Sequence, residues 1–445
     1  MGKFLKTKLT SCIGITAIFL LSSLVFMGCA SMDGYLGFWG RQKALKKQFH
    51  QEPTADLLRQ LEPEGCFMLV GRVATKVDYH KPLLVVAVTD TLQKREIVAS
   101  KIIPVGLIYY SVYLPEGHYD LYFFADLDDN GFFEKHEMIS QVRGESILIN
   151  KSRAKDGFSV TGPVFSLDTR NPTTTDLPVK ARVRGGGRGV RESLEDEFFD
   201  PKYGLMGLYH PKSFMAHTQR YVFALEEFDP DKTVVFFVHG VQGTPRDFSY
   251  LVAGLDRDRY QPWFYFYPSG MPLQKLGSLL VTILKSANDS GYYPLKSVIV
   301  VAHSMGGLVA LSGLNQLCPD GVPSYLKGYV SLNTPYRGVT SAKIAVENAP
   351  AVLPSWRDMA LGSPFFEKLY KDTPSLNIPF YLFFGYKTGD SSDGTVALHS
   401  QLEPAVYFSA LKSYGFNATH AGILNDEAAR EKLNEVLGSI DGSEK

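Results

Sequence analysis

The stretch Val298-Ile-Val-Val-Ala-His-Ser-Met-Gly-Gly307 limits what this chain can fold into more than any other. Four apolar, β-branched residues run into Ala302-His-Ser-Met-Gly-Gly307, and Leu308-Val-Ala-Leu311 continues with helical spacing. That pattern predicts a buried strand, a very sharp turn with Ser304 at its apex, and a helix. In such a turn the helix begins almost on top of the strand, so the flanking positions must be small. Ala302 and Gly306 meet that demand, although Ala302 carries one methyl more than the usual Gly. The turn lifts the Ser304 hydroxyl out of the sheet. The first N–H groups of a helix have no intrahelical partner, which leaves the Met305 N–H free to face a developing negative charge.

With 445 residues the chain has room for two or three domains. Lys plus Arg and Asp plus Glu both total 46, so no excess of positive charge points to nucleic acid. The first segment reads as a signal rather than as part of the fold. Lys3, Lys6 and Lys8 precede an apolar run from Ile13 to Met27, closed by Gly28-Cys29. The run is too short for a membrane span and has no stop-transfer flank. A cysteine directly after a small residue at this point resembles the lipobox of bacterial lipoproteins, with Phe26 where that family prefers Leu. The resemblance implies a signal peptide over 1–28, cleavage before Cys29 and a diacylglycerol on its thiol. Ala30-Ser31 follow in place of an Asp, which by the same resemblance favours the outer membrane of a bacterial envelope. Cys66 and Cys318 would then be the remaining thiols; an oxidising compartment allows them to pair, while the apolar surroundings of each suit buried free cysteines. No Cys/His spacing suggests zinc.

Residues 29–64 read as a charged tether. From residue 65 to about 170 short β-rich runs follow one another: Phe67–Val70, Leu83–Val88, Leu107–Tyr113 and Tyr119–Phe124, separated by turn residues such as Pro82 and Asn130-Gly131. Strands with no helical period between them predict a small antiparallel β-sandwich. The stretch from Leu114-Pro-Glu-Gly-His-Tyr119 to Asp126-Leu-Asp-Asp-Asn-Gly131 resembles the prealbumin-like type of sandwich domain. Residues 171–219, with Gly185-Gly-Gly187 among arginines, read as a linker. The glycines lack the flanking strand, helix and Gly-Lys-Ser/Thr end of a phosphate loop. Beyond about 220, strands alternate with helices. Near-continuous apolar runs at Thr233–Val238, Trp263–Tyr267, Val298–Val301, Gly328–Leu332 and Phe380–Phe384 predict a mostly parallel sheet covered on both faces.

A serine hydroxyl is a poor nucleophile until a base takes its proton, and the base needs an acid to orient it. Beyond Ser304 only His399 and His420 can be that base. His420 is favoured because Asn417-Ala-Thr-His-Ala-Gly422 is a small-residue loop just before the last predicted helix. The loop after Phe380–Phe384 offers Asp390 and Asp393 as the acid. Phe237-Val-His-Gly-Val-Gln-Gly243, Ala302–Gly307, Leu332-Asn-Thr-Pro335, Ser392-Asp-Gly-Thr-Val396 and the late His420 occur in one order. As a set they resemble the lipase-like serine hydrolases of the α/β-hydrolase superfamily, and most of all the branch with the GPI-inositol-deacylase-like proteins. The resemblance covers about 220–440. It implies an α/β-hydrolase domain over 220–445, Asp393 as the acid, and Val241 beside Met305 as the second oxyanion donor. His239 is expected to brace the oxyanion loop rather than to carry protons.

The apolar, aromatic segment from about 336 to 374 lies where lipases of this fold carry a cap, and reads equally as lid, acyl-binding wall or extra packing helices. In the β-rich part, Asp126 to Glu137 fits the twelve-residue calcium loop D-x-D-x-N-G-x5-E. Asp126, Asp128, Asn130, Phe132 (through its carbonyl), Glu134 and Glu137 would be the ligands, in a structural role; a solvated acidic turn is the other reading. The expected activity is hydrolysis of a carboxylic ester, of lipid or acyl type, through an acyl-serine, at a membrane reached through lipidated Cys29 and with no cofactor for the chemistry. Acyl transfer to an alcohol, and a non-catalytic envelope binding protein, are the competing readings.

Overall fold

In the computed structural model the described residues are 66–75, 82–91, 94–103, 109–141, 147–154, 159–167, 169–182, 193–218, 221–289, 293–318, 321–348, 352–371 and 377–442. The expected signal segment, Cys29, the tether and Gly185–Gly187 lie outside them. No helix among the described residues is long and apolar enough to cross a membrane.

The N-terminal part is built of β1 (Cys66–Thr75), β2 (Leu83–Thr91), β3 (Lys94–Ile103), β4 (Tyr109–Pro115), β5 (Gly117–Ala125), β6 (Phe132–Glu134), β7 (Met138–Gln141), β8 (Ile147–Ile149), β9 (Ser159–Leu167) and β10 (Lys180–Arg182). The sheet β4-β1-β9 packs on the sheet β3-β2-β5-β7, to which β8 adds through β5. Alternation along β2 and β5 explains the packing. Val85, Ala87, Leu121 and Phe123 point into the core shared with Leu69, Val112 and Val160 of the first sheet. Leu84, Val86, Tyr122 and Phe124 point the other way, into a second core closed by Phe133, Leu177 and Val179. One pairing departs from the antiparallel expectation: β9 runs parallel to β1. Between β8 and β9 the chain crosses from one sheet to the other, and it enters beside β1 in the same direction.

The stretch expected as a linker over 171–219 is structured on both sides of its glycines. Residues 169–182 cover the far face of the β2–β5 sheet, with β10 paired to β6. Residues 193–218 form two short helices, α1 (Pro201–Tyr209) and α2 (Pro211–Thr218). Leu194, Phe199, Leu208, Phe214 and Met215 enter the core of the following domain. Mixed polarity hides these apolar contacts in the sequence, because each short helix buries one side only. The Arg246 guanidinium anchors the start of this strap, donating to the carbonyls of Leu194 (3.1 Å), Glu195 (3.0 Å) and Asp196 (3.1 Å). Arg246→Ala leaves those carbonyls without their charged donor and is expected to lower the unfolding free energy by about 2 kcal/mol, read as a shift of the denaturant midpoint at unchanged slope.

The second sheet has seven strands: β11 (Val222–Ala224), β12 (Thr233–Val238), β13 (Tyr260–Tyr265), β14 (Val298–His303), β15 (Leu326–Leu332), β16 (Phe380–Gly385) and β17 (Lys412–Phe416). Their order is β11-β13-β12-β14-β15-β16-β17. All neighbours are parallel except β11, which runs antiparallel to β13 at the edge. Every residue of β12, β13 and β14 is buried, as strands covered on both faces must be. From β12 the chain moves outward to β13 and then returns to the other side of β12 as β14. The C-terminal ends of β12 and β14 therefore flank a topological switch point, where open α/β sheets hold their ligands. The main helices are α3 (Ser249–Ala253), α4 (Leu273–Asp289), α5 (Met305–Leu317) and the last one, Glu427–Asp441, whose N-terminus Asp426 caps by accepting from Ala429 N–H at 2.9 Å.

Candidate active site

Ser304 emerges at that switch point. Its N–H donates to the Leu332 carbonyl at 2.8 Å, which holds it to the end of β15. The backbone turns through φ 54° and ψ −129°, a left-handed conformation that an L residue adopts only under strain. Helix α5 starts at the next residue. A Cβ on Gly306 would lie 2.4 Å from the carbonyl oxygens of both Val238 and His239, so only glycine lets α5 begin this close to β12. Ala302, fully buried in β14, is accommodated with its methyl inside the core.

Two loops from far along the chain converge on the serine. His420 follows β17 and places Nε2 2.7 Å from Ser304 Oγ. Its Nδ1 lies 2.7 Å from Asp393 Oδ2, in the loop after β16. The other carboxylate oxygen of Asp393 accepts the N–H groups of Thr395 (2.8 Å) and Val396 (2.7 Å). His420 N–H donates to the Asp393 carbonyl at 3.0 Å, so backbone and side chains lock the two loops together. A carboxylate can only accept, so Nδ1 carries the proton and Nε2 presents its lone pair to the Ser304 hydroxyl. The candidates left over are elsewhere: Asp390 is at the surface, 3.8 Å from the Lys387 ammonium, and His399 is exposed.

The loop after β12 lies against the serine. A Cβ on Gly240 would stand 3.1 Å from that of Ser304. The turn is closed by Gly243 N–H to Gly240 O at 3.1 Å, with Gln242 at φ 56° and its N–H on Ser269 Oγ at 3.1 Å. Among the described residues no acceptor is recorded for the N–H of Val241 or of Met305. His239 stacks on Tyr267, with centroids 4.1 Å apart. Its Nδ1 meets Gly240 O at 2.8 Å, and its Nε2 accepts from Tyr267 N–H at 3.3 Å. Burial pushes His239 down to about 4, so it stays neutral and serves as a brace for this loop. From the other side, α1 presses on the loop: a Cβ on Gly204 would reach to 2.1 Å of the Gln242 carbonyl oxygen. Neither Gly204 nor Tyr267 was marked by any sequence motif.

The segment expected as a cap forms helices Thr340–Asn348, Pro354–Met359 and Pro364–Lys371. Trp356, Met359, Phe366 and Leu369 are buried in the domain core, and Trp356 meets Tyr209 of α1 edge to face. Asp358 accepts from the Leu273 N–H at 2.7 Å, tying the segment to the start of α4. These described residues pack as part of the domain, not as a separate flap.

In the 126–137 turn, Glu137 is buried and accepts the N–H groups of Leu127 (2.7 Å) and Glu134 (3.0 Å). Asp126 accepts from Gly131 N–H at 3.2 Å. The Asn130 amide nitrogen donates to Asp128 and Glu134, both at 3.0 Å, while its oxygen accepts from Phe132 N–H at 2.8 Å. In this arrangement the Asn130 oxygen expected for a cation is engaged by backbone. Asp128, His136 and Glu137 come together closely enough to share an ion. As for the cysteines, Cys318 is a free thiol, nearly buried.

A mostly parallel seven-stranded sheet with an antiparallel edge strand, carrying a serine on a strand–turn–helix elbow at the switch point, is the α/β-hydrolase fold. No protein-family model matches the sequence, and no curated protein matches it. Among solved structures, the mature form of the lipase BlEst2 from Bacillus licheniformis is 19% identical, with 49% of this chain and 96% of that chain covered and a TM-score of 0.38. A lin2722 gene product from Listeria innocua is 15% identical over 46% of this chain and 94% of that one, with a TM-score of 0.35. MGS-MChE2, an alpha/beta hydrolase enzyme from a lagoon-sediment metagenome, is 18% identical over 49% and 93%, with a TM-score of 0.34.

Proposed function

We propose that this chain is a serine ester hydrolase acting on carboxylic esters of lipid or acyl type, held at a bacterial envelope membrane through Cys29. The observation that carries the reading is the buried relay from Ser304 Oγ through His420 to Asp393, each link 2.7 Å long. Ser304 Oγ attacks the ester carbonyl carbon while its proton passes to His420 Nε2. The oxyanion forms between the N–H groups of Val241 and Met305, which have no competing acceptor among the described residues. The C–O bond to the alcohol breaks, the alcohol leaves with the proton from His420, and an acyl-Ser304 ester remains. Water then repeats the cycle: His420 takes its proton, the hydroxide adds to the acyl carbon, and the acid departs as the bond to Ser304 Oγ breaks and His420 returns the proton to that oxygen. Asp393 faces the imidazolium in both halves.

A fluorophosphonate probe is expected to label the protein at Ser304, and p-nitrophenyl esters of graded chain length are expected to be turned over. Free acid as the main product in the presence of added alcohols supports hydrolysis. New ester as the main product moves the reading to acyl transfer, and no labelling with no turnover leaves a binding protein. The membrane part has its own measurement. Cys29→Ser should move the protein from the detergent-requiring fraction to the soluble or uncleaved one, because multiple acyl chains hold a protein at a bilayer far more firmly than one. Wild-type protein that is soluble without detergent rules the anchor out.

A further inference from the structure

Three histidines crowd the floor of this site, and the relay uses one of them. His303 precedes the serine at the end of β14 and is 2% exposed. Its Nε2 lies 2.9 Å from the carbonyl oxygen of His420. That same oxygen accepts a second hydrogen bond from Asn333 Nδ2 at 3.1 Å. Asn333 is itself pinned: it is fully buried, its φ is 50°, and its N–H donates to Phe383 O at 3.0 Å. A carbonyl can only accept, so His303 must bring the proton on Nε2. The other ring nitrogen then carries a lone pair and faces the oxyanion loop, where a Cβ on Gly240 would stand 3.3 Å from it.

We propose that His303 is a positioning residue for the hydrolase reaction: as the neutral Nε2–H tautomer it holds, together with Asn333, the backbone carbonyl of His420, and so sets the base against Ser304. This rests on the reading of Ser304 and His420 as nucleophile and base. The loop bearing His420 has its N–H tied to Asp393 and its carbonyl tied to the ends of β14 and β15, which leaves the imidazole little freedom except about its own side-chain bonds. The clamp starts one residue from the nucleophile, so base and nucleophile are referred to the same strand end. Burial, and then the neighbouring His420, push His303 down to about 3, which keeps it uncharged while His420 accepts protons 5.0 Å away, ring to ring.

The two nitrogens of an imidazole have different amide mimics, and that supplies the test. In His303→Gln the amide nitrogen reaches the position of Nε2, whereas in His303→Asn it stops near that of Nδ1. His303→Asn and His303→Leu are expected to lower kcat and the fluorophosphonate labelling rate by about 10- to 100-fold, with KM nearly constant, since a small misplacement of the base acts on the chemical step. His303→Gln should keep most of the rate. Equal rates in the Gln and Asn variants, or a rise in KM at constant kcat, overturn the proposal. Should the Leu variant fail to fold, nitrogen NMR of histidine-labelled native protein decides: His303 is expected neutral with its proton on Nε2 at pH 6, and a proton on Nδ1 or a charged ring at that pH overturns it. Labelling that survives Ser304→Ala would instead defeat the hydrolase reading, while the tautomer measurement still stands on its own.

Discussion

Ser304→Ala is expected to lower kcat by about a million-fold, the loss typical when the nucleophile of such a relay is removed, without loss of fold. The alanine fits, since among the described residues the hydroxyl bonds to His420 alone, and the backbone stays tied to Leu332. Ser304→Gly should be equally inactive and more stable. The positive φ at residue 304 strains any side-chain-bearing residue by about 1–3 kcal/mol, and glycine relieves it at some cost in unfolded-state entropy. A dead variant that melts above the wild type would mean that the elbow is held strained for the chemistry. A Ser304→Gly protein less stable than Ser304→Ala would contradict that account, and an active Ser304→Ala would remove Ser304 from the mechanism. Melting curves and turnover of one p-nitrophenyl ester measure both.

Asp393→Asn is expected to cost about ten-thousand-fold in kcat, by analogy with loss of the acid in other serine triads. The reason lies in the hydrogen bonds around residue 393. Its Oδ1 accepts from Thr395 and Val396 N–H, so in the variant the amide oxygen keeps that position and the amide nitrogen faces His420. An N–H donor there makes Nδ1 the acceptor, moves the imidazole proton to Nε2, and turns an N–H toward Ser304 where a lone pair is needed. The fold should survive, because the shape is unchanged and the backbone bond from His420 to residue 393 remains. Asp390→Asn removes only a half-exposed pairing with Lys387, worth about 0–1 kcal/mol at most, and should leave the rate close to wild type. The opposite ranking of these two variants in kcat would make Asp390 the acid.

Much of the framework could be read before any coordinates. The strands β12, β14 and β16 are unbroken apolar runs because they are covered on both faces, and the elbow is written in small residues where helix α5 meets β12. Other elements left no such mark. Strand β17, Lys-Ser-Tyr-Gly-Phe, is half polar because it lies at the edge of the sheet, with solvent on one side. Helices α1 and α2 look like linker in the sequence because they donate only single apolar faces to a core assembled from distant residues. The segment expected as a cap is apolar along the sequence, but its seat in the core depends on partners such as Tyr209 and Leu273.

The sequence by itself determined the local chemistry: a strand that must be buried, a turn that only small residues permit, a hydroxyl raised at its apex, and one late histidine in a loop of small residues. Periodicity and side-chain volume act over a few neighbouring residues, so they are legible along the chain. Which partners reach that hydroxyl was decided only in three dimensions. Ser304 and His420 are 116 residues apart, and the grip of His303 on the His420 carbonyl spans 117. Nothing in the spacing encodes those contacts. They exist because parallel strands bring their C-terminal ends to one edge, where the loops after β12, β14, β15, β16 and β17 compete for the same small volume. There, burial and hydrogen bonding give neighbouring histidines different partners: His239 meets the Gly240 carbonyl and the Tyr267 N–H, His303 meets the His420 carbonyl, and His420 lies between Asp393 and Ser304.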